Sequence, residues 1–431
     1  YIVVLKAAAG RPADVAAQMA RAHGLGIGHI YSVALKGFSA TIPDARLQAV
    51  MRDPRVTYVE QDQVFEVLGK LDMLGRPGQG GGGPPPPQPQ VIPTGISRIG
   101  TLSSQTANIN GNDDRVNVNV AVIDTGIQRD HPDLHVVGGY NTTSRFTDQW
   151  DDGHGHGTHV SGTIAALDNG FGVVGVAPGA NLYAVKVLND RGSGFTSWIV
   201  KGIDWVASTR TDNNTMNDIQ VANMSLGGGN SPSILSALDG AVAQGVVFAV
   251  AAGNDASDCR GTSPANSTSD GVITVSALAD SDGVSGGGGG DTGYGSDDYF
   301  ATFSNNGRNE PTNDDPITGN GVDVIAPGVK IYSTYKGSGY ATMSGTSMAT
   351  PHVTGVAALY IKNNSGASPA DIKLAVMTSP HTTTDNYWAF YTYLDGLNYI
   401  YGLLPWRAIG GDLDSFNSNV GYEPLVDAAP F

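Results

Sequence analysis

The sequence predicts an α/β protein: a doubly wound, mostly parallel sheet with helices on both faces, preceded by a small ferredoxin-like α+β domain. Three observations carry this prediction. From residue 120 onward, short apolar runs alternate with helix-period segments, the pattern of βαβ units covered on both faces. Between Lys70 and Gln90 the chain turns Gly- and Pro-rich, with four glycines from Gly80 followed by four prolines from Pro84, a composition that cannot bury a core. Ahead of it, residues 1–68 read as βαββαβ, the split pattern of a ferredoxin-like unit. A chain of 431 residues with 40% apolar content supplies core enough for both units.

In chain order, residues 1–6 form the first strand and residues 12–22 a helix that opens on Pro12, where a missing N–H costs nothing. Strands follow at 29–35 and 38–42, then a helix at 44–52 and a closing strand at 56–60. The expected division is a small unit at 1–68, a linker at 69–90 and a larger domain at 91–431. Within the larger domain, apolar strands at 120–123, 182–187, 220–224 and 246–251 alternate with helices at 158–167, 198–207 and 234–242. Right-handed crossovers then make the sheet parallel. Two stretches read as insertions. Residues 281–320, with glycines at 286–290, are expected as a mobile surface loop. Residues 380–420 carry Tyr387, Trp388, Phe390, Tyr391, Tyr393, Tyr399 and Trp406, expected to pack as an extra layer, a partner-binding patch being the alternative.

Charge and composition exclude several functions. The 24 basic residues against 40 acidic ones give a net charge of −16, concentrated after residue 90, which argues against nucleic acid or an anionic membrane as partner. The longest apolar stretch, residues 241–253, is broken by Gln244 and is shorter than the roughly 20 residues of a membrane span. The single Cys259 makes no intramolecular disulfide and leaves the redox compartment open. The chain begins at Tyr1 and not Met, and a removed secretory signal is the expectation for it.

In a parallel sheet, ligands sit at the carboxyl ends of the strands, where Asp124, Ser225 and Asn254 fall. A carboxylate at the mouth of a buried strand needs a partner such as an imidazole, although a helix-capping or turn Asp fits the Asp124 segment equally. His156 stands among glycines at the start of a helical pattern, open to act as a general base. His154, His156 and His159 also make an H-x-H-x-x-H run, close to a zinc motif of metallo-β-lactamase-type hydrolases. Thr158 replaces its Asp and no downstream ligand set is evident, so zinc is the weaker alternative. Ser347 opens an apolar helix, where N–H donors and the helix dipole favour developing negative charge; a plain capping Ser is the alternative. Asn254 offers an amide donor to an oxyanion, or is a turn residue. Taken together, these residues suit nucleophilic acyl transfer.

Five segments, in the order Asp, His, Ser, resemble the subtilisin-like serine proteases: Asp124-Thr125-Gly126-Ile127 with His131-Pro132-Asp133-Leu134; His156-Gly157-Thr158-His159; Asn223-Met224-Ser225-Leu226-Gly227-Gly228; Ala252-Gly253-Asn254; and Gly345-Thr346-Ser347-Met348-Ala349-Thr350-Pro351-His352. The resemblance implies a secreted serine endopeptidase with Ser347 as nucleophile, His156 as acid and base, Asp124 orienting His156, and Asn254 in the oxyanion hole. It further implies that Ser225, Leu226 and Gly227 form a substrate-binding edge, and that Ala252 and Gly253 line the S1 pocket with it. A structural calcium ion is implied on Asp133 and Asn169 and the carbonyls of Leu167, Phe171 and Val173, with Gln88 or Gln90 to complete it and no organic cofactor. The turn Asp280-Ser281-Asp282-Gly283 is read as an acidic turn, a second ion being the alternative.

Residues 1–68 resemble the family's pro-domain, in Gly37-Phe38-Ser39-Ala40 and in the run Val56-Thr57-Tyr58-Val59-Glu60. This implies an autoprocessed zymogen whose Phe65-Glu66-Val67-Leu68 tail fills the cleft, self-cleavage near Leu68, and trimming to a mature start at 84–91. Substrates are then proteins and peptides with an apolar P1 residue, the pro-domain is an intramolecular inhibitor, and the enzyme is a monomer. The sequence departs from the family at 281–320, at 380–420 and at Glu423-Pro424, where a second Gly is expected.

Overall fold

The computed structural model describes residues 1–72, 89–286, 288–307, 321–378, 388–395, 398–405, 420–422, 425–429 and 431. The first unit is β1 (Ile2–Leu5), α1 (Pro12–His23), β2 (Gly26–Tyr31), β3 (Gly37–Thr41), α2 (Asp44–Met51) and β4 (Val56–Glu60), an antiparallel sheet in the order β2-β3-β1-β4. Alternation along β1 decides its packing. Val3 and Leu5 join the unit's own core with Val15, Met19 and Phe38, while Ile2 and Val4 face a second core shared with the larger domain. The second strand ends at Tyr31, earlier than the sequence suggests. The N–H groups of Ser32, Val33 and Ala34 instead converge on the Asp204 carboxylate at 3.0, 2.8 and 3.0 Å.

Two strands follow: β5 (Val64–Val67) and β6 (Lys70–Leu71). Lys70 and Leu71 thus belong to a paired strand and not to the linker read from composition; residues 73–88 of that linker lie outside the described residues. The larger domain then runs α3 (Thr94–Arg98), β7 (Asn119–Asp124), β8 (Val136–Asn141), α4 (His156–Ala165), β9 (Asn181–Lys186), β10 (Ser193–Phe195), α5 (Thr196–Thr209), β11 (Val221–Met224), β12 (Leu226–Gly229), α6 (Pro232–Val242), β13 (Val247–Ala251), β14 (Thr262–Ser263), β15 (Val272–Ala279), β16 (Tyr299–Phe300), β17 (Val324–Pro327), β18 (Ile331–Tyr335), β19 (Gly339–Ser344), α7 (Thr346–Asn363) and α8 (Pro369–Thr378).

An eight-stranded sheet forms its centre, in the order β16-β15-β13-β11-β7-β9-β8 with β17 also on β15. Every pairing in it is parallel except that of β16. The apolar strands are buried on both faces because successive side chains enter different cores. Val120 and Val122 of β7 pack with α4, α7 and α8 through Val160, Ile164, Val353 and Ile372. Ala121 and Ile123 pack with α5 and α6 through Ile199, Ile203, Ile234 and Leu238. The predicted doubly wound class is the observed one.

The insertion at 281–320 is a correction. Its described part, 281–286 and 288–307, is not a loose surface loop: Asp297 and Asp298 are buried, and Arg98, itself buried, pairs with Asp298 at 2.9 Å and Asp280 at 3.3 Å. Asp297 accepts N–H groups of Ser281 and Gly289, each at 2.7 Å, so buried carboxylates hold the segment down together with Ala301, Phe300 and Phe303, which pack into the main core. Residues 308–320 lie outside the described residues. The 380–420 insertion contains strands Trp388–Asp395 and Asn398–Pro405 paired antiparallel, with Val420–Tyr422 beside the first. The expectation that its aromatic side chains pack as a layer lies outside the described residues. After it, Val426 and Ala428 return to the core by N–H bonds to Ile325 and Ile99.

Candidate active site

Asp124 ends β7, His156 opens α4 and Ser347 is the second residue of α7, and all three are fully buried. His156 Nδ1 lies 2.8 and 3.0 Å from the two Asp124 carboxylate oxygens. With Nδ1 so engaged, Nε2 is the free position, and it has no hydrogen-bond partner. Ser347 Oγ donates to the Ser225 carbonyl at 3.0 Å and not to the imidazole.

Asp152 explains why α4 begins where it does, and sequence reasoning missed it. Its buried carboxylate accepts N–H groups of His154, Gly155 and Thr158 at 2.9, 2.8 and 2.9 Å and the hydroxyls of Thr125 and Thr158 at 2.9 and 2.6 Å. That cap fixes the turn carrying His156 and ties it to the residue after Asp124. The signal was an Asp four residues before a helical His. Thr346 is a second omission: its N–H and hydroxyl reach Asn254 Oδ1 at 2.9 and 3.0 Å, which turns Nδ2 of the amide outward as a donor.

Phe65 to Leu68 run through this site. β5 lies antiparallel between β10 and β12, pairing Leu226 with Val67, Gly227 with Glu66 and Gly228 with Phe65. Phe65 is fully buried against Gly228, where an added Cβ would meet its ring at 2.7 Å, and the Leu68 side chain lies 2.8 Å from the corresponding point on Gly227. The Leu68 N–H points to the Ser225 carbonyl at 3.5 Å. The Leu68 carbonyl accepts from Asn254 Nδ2 and, at 3.4 Å, from the Ser347 N–H. Gly345 makes room for it: at φ 153°, a Cβ there would strike the Leu68 oxygen. On the other side of the bond, Gly69 lies beside His156 Nε2. Ala252 and Gly253 follow β13; the Ala252 carbonyl accepts from Asn305 at 3.0 Å, and the Gly253 N–H donates to Thr346 at 3.2 Å.

The chain belongs to the subtilase family. The family's sequence profile matches residues 115–402, and that of peptidase inhibitor I9 matches residues 1–68. Subtilisin E of Bacillus subtilis (strain 168) is 38% identical over 339 residues, 78% of this chain and 73% of that protein. Subtilisin of Bacillus pumilus is 41% identical over 288 residues, 66% of this chain and 90% of that one. Among solved structures, a cold adapted subtilisin-like serine proteinase is 36% identical with a TM-score of 0.52, covering 68% of this chain and 93% of its own. The protein is therefore a subtilisin-like serine endopeptidase in zymogen form, carrying an inhibitor-type pro-domain.

In this subtilase the three histidines of the zinc reading diverge. His156 faces Asp124, and His159 Nε2 lies 3.1 Å from the carbonyls of both Ile331 and Ala341. His154 stands beside Gly192, its ring 6.3 Å from that of His156. Among the described residues, the His, Cys, Asp or Glu side chains that cluster in a group of three are Asp280, Asp282 and Asp297, of which Asp280 is pushed up to about 7 by burial. The residues of the predicted calcium loop lie together around Asp133 and Gln90. Asp133 is fully buried and held by the Val173 N–H, the Tyr340 hydroxyl and the Asn169 amide at 3.0, 3.1 and 3.2 Å. These donors are neutral, and burial pushes the carboxyl up to about 7. Gln90 spans the carbonyls of Leu167 and Val173 at 2.8 and 3.3 Å, and Phe171 bridges Pro89. A buried carboxylate, two side-chain amides and inward carbonyls are a hard-oxygen donor set that fits Ca²⁺. Gln88 lies outside the described residues.

Proposed function

We propose that this subtilase cuts its own chain between Leu68 and Gly69 and then hydrolyses other proteins and peptides by the same route. The carrying observation is the Leu68 carbonyl, which lies between the Asn254 amide and the Ser347 N–H. Rotation about the Ser347 side chain moves Oγ from the Ser225 carbonyl toward the unpartnered His156 Nε2. Oγ then attacks the Leu68 carbonyl carbon while Nε2 takes its proton, Asp124 holding the imidazole and steadying its cation. Asn254 and the Ser347 N–H receive the oxyanion. Collapse of the tetrahedral intermediate breaks the C–N bond, His156 returns the proton to the Gly69 nitrogen, and water repeats the cycle on the acyl-enzyme.

Specificity is assigned to Ser225, Leu226 and Gly227 as the backbone edge for an added substrate strand, with Ala252 and Gly253 completing an S1 pocket for apolar residues such as Leu68. The pro-domain, residues 1–68, remains as an intramolecular inhibitor, the 69–90 segment links it to the peptidase of residues 91–431, and trimming of its Gly/Pro-rich part within the 84–91 window, ahead of Gln90, gives the mature start. Asp133, Asn169, Gln90 and the carbonyls of Leu167, Phe171 and Val173 would hold a calcium ion, which supplies positive charge to a buried loop and no step of the chemistry. Kinship with the subtilisins supports a secreted enzyme acting on proteins outside the cell, a net charge of −16 favours a monomer, and no helix among the described residues is long and apolar enough to cross a membrane.

The test is mass spectrometry of the purified chain after incubation with a fluorophosphonate probe. Label on Ser347 in a species lacking residues 1–68 is the expected result, and Ser347→Ala should leave the chain uncut and unlabelled. A folded, cleaved chain that takes no label overturns this mechanism.

A further inference from the structure

The chain beyond Gly69 is also held. β6 lies antiparallel to β19, placing Lys70 opposite Ser344 and Leu71 opposite Met343, and the Asp72 N–H donates to the Thr342 carbonyl at 3.0 Å. This strand addition aims the Asp72 side chain at two hydroxyls. Ser344 Oγ donates to Asp72 Oδ2 at 2.6 Å, and the Tyr294 hydroxyl donates to Oδ1 at 3.5 Å. Ser344 is buried, and its oxygen already accepts the Lys330 N–H at 2.8 Å. Its proton is therefore what it offers the cleft, and only an acceptor satisfies it. Tyr294 comes from the carboxylate-anchored 281–307 segment. It is fixed there by an edge contact with Phe303, centroids 5.3 Å apart, and by the Thr302 N–H on its carbonyl at 2.8 Å.

We propose that Ser344 and Tyr294 form a subsite that selects an acidic residue four positions beyond the bond that is cut. Two hydroxyl donors facing one carboxylate make charge-assisted hydrogen bonds; a neutral amide accepts them more weakly, and an ammonium accepts neither and leaves the buried Ser344 proton unsatisfied. The 281–307 insertion thereby acquires a role in substrate choice. This inference rests on the reading that Leu68–Gly69 is the scissile bond.

Quenched fluorescent peptides of sequence Phe-Glu-Val-Leu-Gly-Lys-Leu-X, with X as Asp, Asn, Ala or Lys, test it on enzyme obtained by self-processing of the full chain. The expected kcat/KM is about tenfold higher for Asp than for Ala, the size of one charge-assisted hydrogen bond, with Asn between and Lys lowest. Ser344→Ala and Tyr294→Phe should each pull the Asp-to-Ala ratio toward one, and a ratio within one enzyme is insensitive to a general loss of activity. Equal turnover of all four peptides at the Leu–Gly bond overturns the subsite and leaves the protease reading standing. Cleavage only at other bonds by an enzyme that labels with fluorophosphonate overturns the register on which the subsite depends. Absence of both label and cleavage overturns the protease reading itself.

Discussion

At the scale of single residues, the site is a set of donors whose alternatives have been removed. Asn254 Oδ1 is occupied by Thr346, so Nδ2 has only the cleft to serve. Asn254→Leu keeps the volume and removes the donor. Its kcat should fall about 10²- to 10³-fold with KM little changed, a size taken over from subtilisin itself, and single-turnover kinetics on a peptide substrate check it. Asp124, His156, Ser347 and Asn254 were legible in the sequence because each lies in a short motif at a strand end or helix start. Thr346 was not, because its work is done through hydrogen bonds to Asn254, 92 residues away, and Asp152 left only its place four residues before His156 as a signal. Asp152→Ala strips five hydrogen bonds, two from the first turn of α4, two from the residues leading into it and one from Thr125, and should cost about 2–4 kcal/mol in urea unfolding of the Ser347→Ala chain.

At the scale of elements, carboxylates fasten the pro-domain to helix ends. Glu60 accepts from the Ser231 hydroxyl at 2.6 Å and the Ser233 N–H at 2.8 Å at the start of α6, and Asp62 takes the Ser197 N–H at 2.8 Å at the start of α5. Each carboxylate meets orphan N–H groups and the positive end of a helix. Glu60→Gln should weaken inhibition of the mature enzyme by its pro-domain about tenfold, read from the inhibition constant. The strand that the sequence placed at 29–35 ends early for a related reason: residues 32–34 give their N–H groups to Asp204, on a helix 170 residues away, and local pattern carries no trace of that. The calcium loop makes its own prediction. Chelation should lower Tm by several degrees, and Asp133→Asn should abolish the calcium-dependent part of that shift in a calorimetric scan.

For the whole molecule, the strand-helix alternation was readable from residue 120 to 251 because apolar runs of that length have few other uses. The order β16-β15-β13-β11-β7-β9-β8 was not, since register and neighbours are set by crossovers. The buried histidines carry a pH signature. Burial brings His159 down to about 3 and His352 to about 4, below the ordinary value near 6.5. Unfolded chains bind more protons than the folded one between those values, so these two residues contribute stability that is full above pH 6.5 and lost as pH falls toward 4. Asp280, raised to about 7, acts in the opposite direction between about 4 and 7. Histidine-selective NMR of the Ser347→Ala chain should find both imidazoles neutral at pH 5, and titration of either near pH 6.5 would contradict the burial argument.

β5 sits between two enzyme strands while β6 has one, and the proposed scissile bond, Leu68–Gly69, lies in the two-residue link between them. Until that bond is cut, the inhibitor is tethered at an effective concentration in the millimolar range that no dilution changes. Afterwards, residues 1–68 are a separate molecule, and their hold depends on how much of them is present. Cleavage therefore makes dormancy a property of the surroundings. A packed compartment keeps the enzyme silent, release into a large volume wakes it, and the lag before activity appears should shorten as the same preparation is diluted.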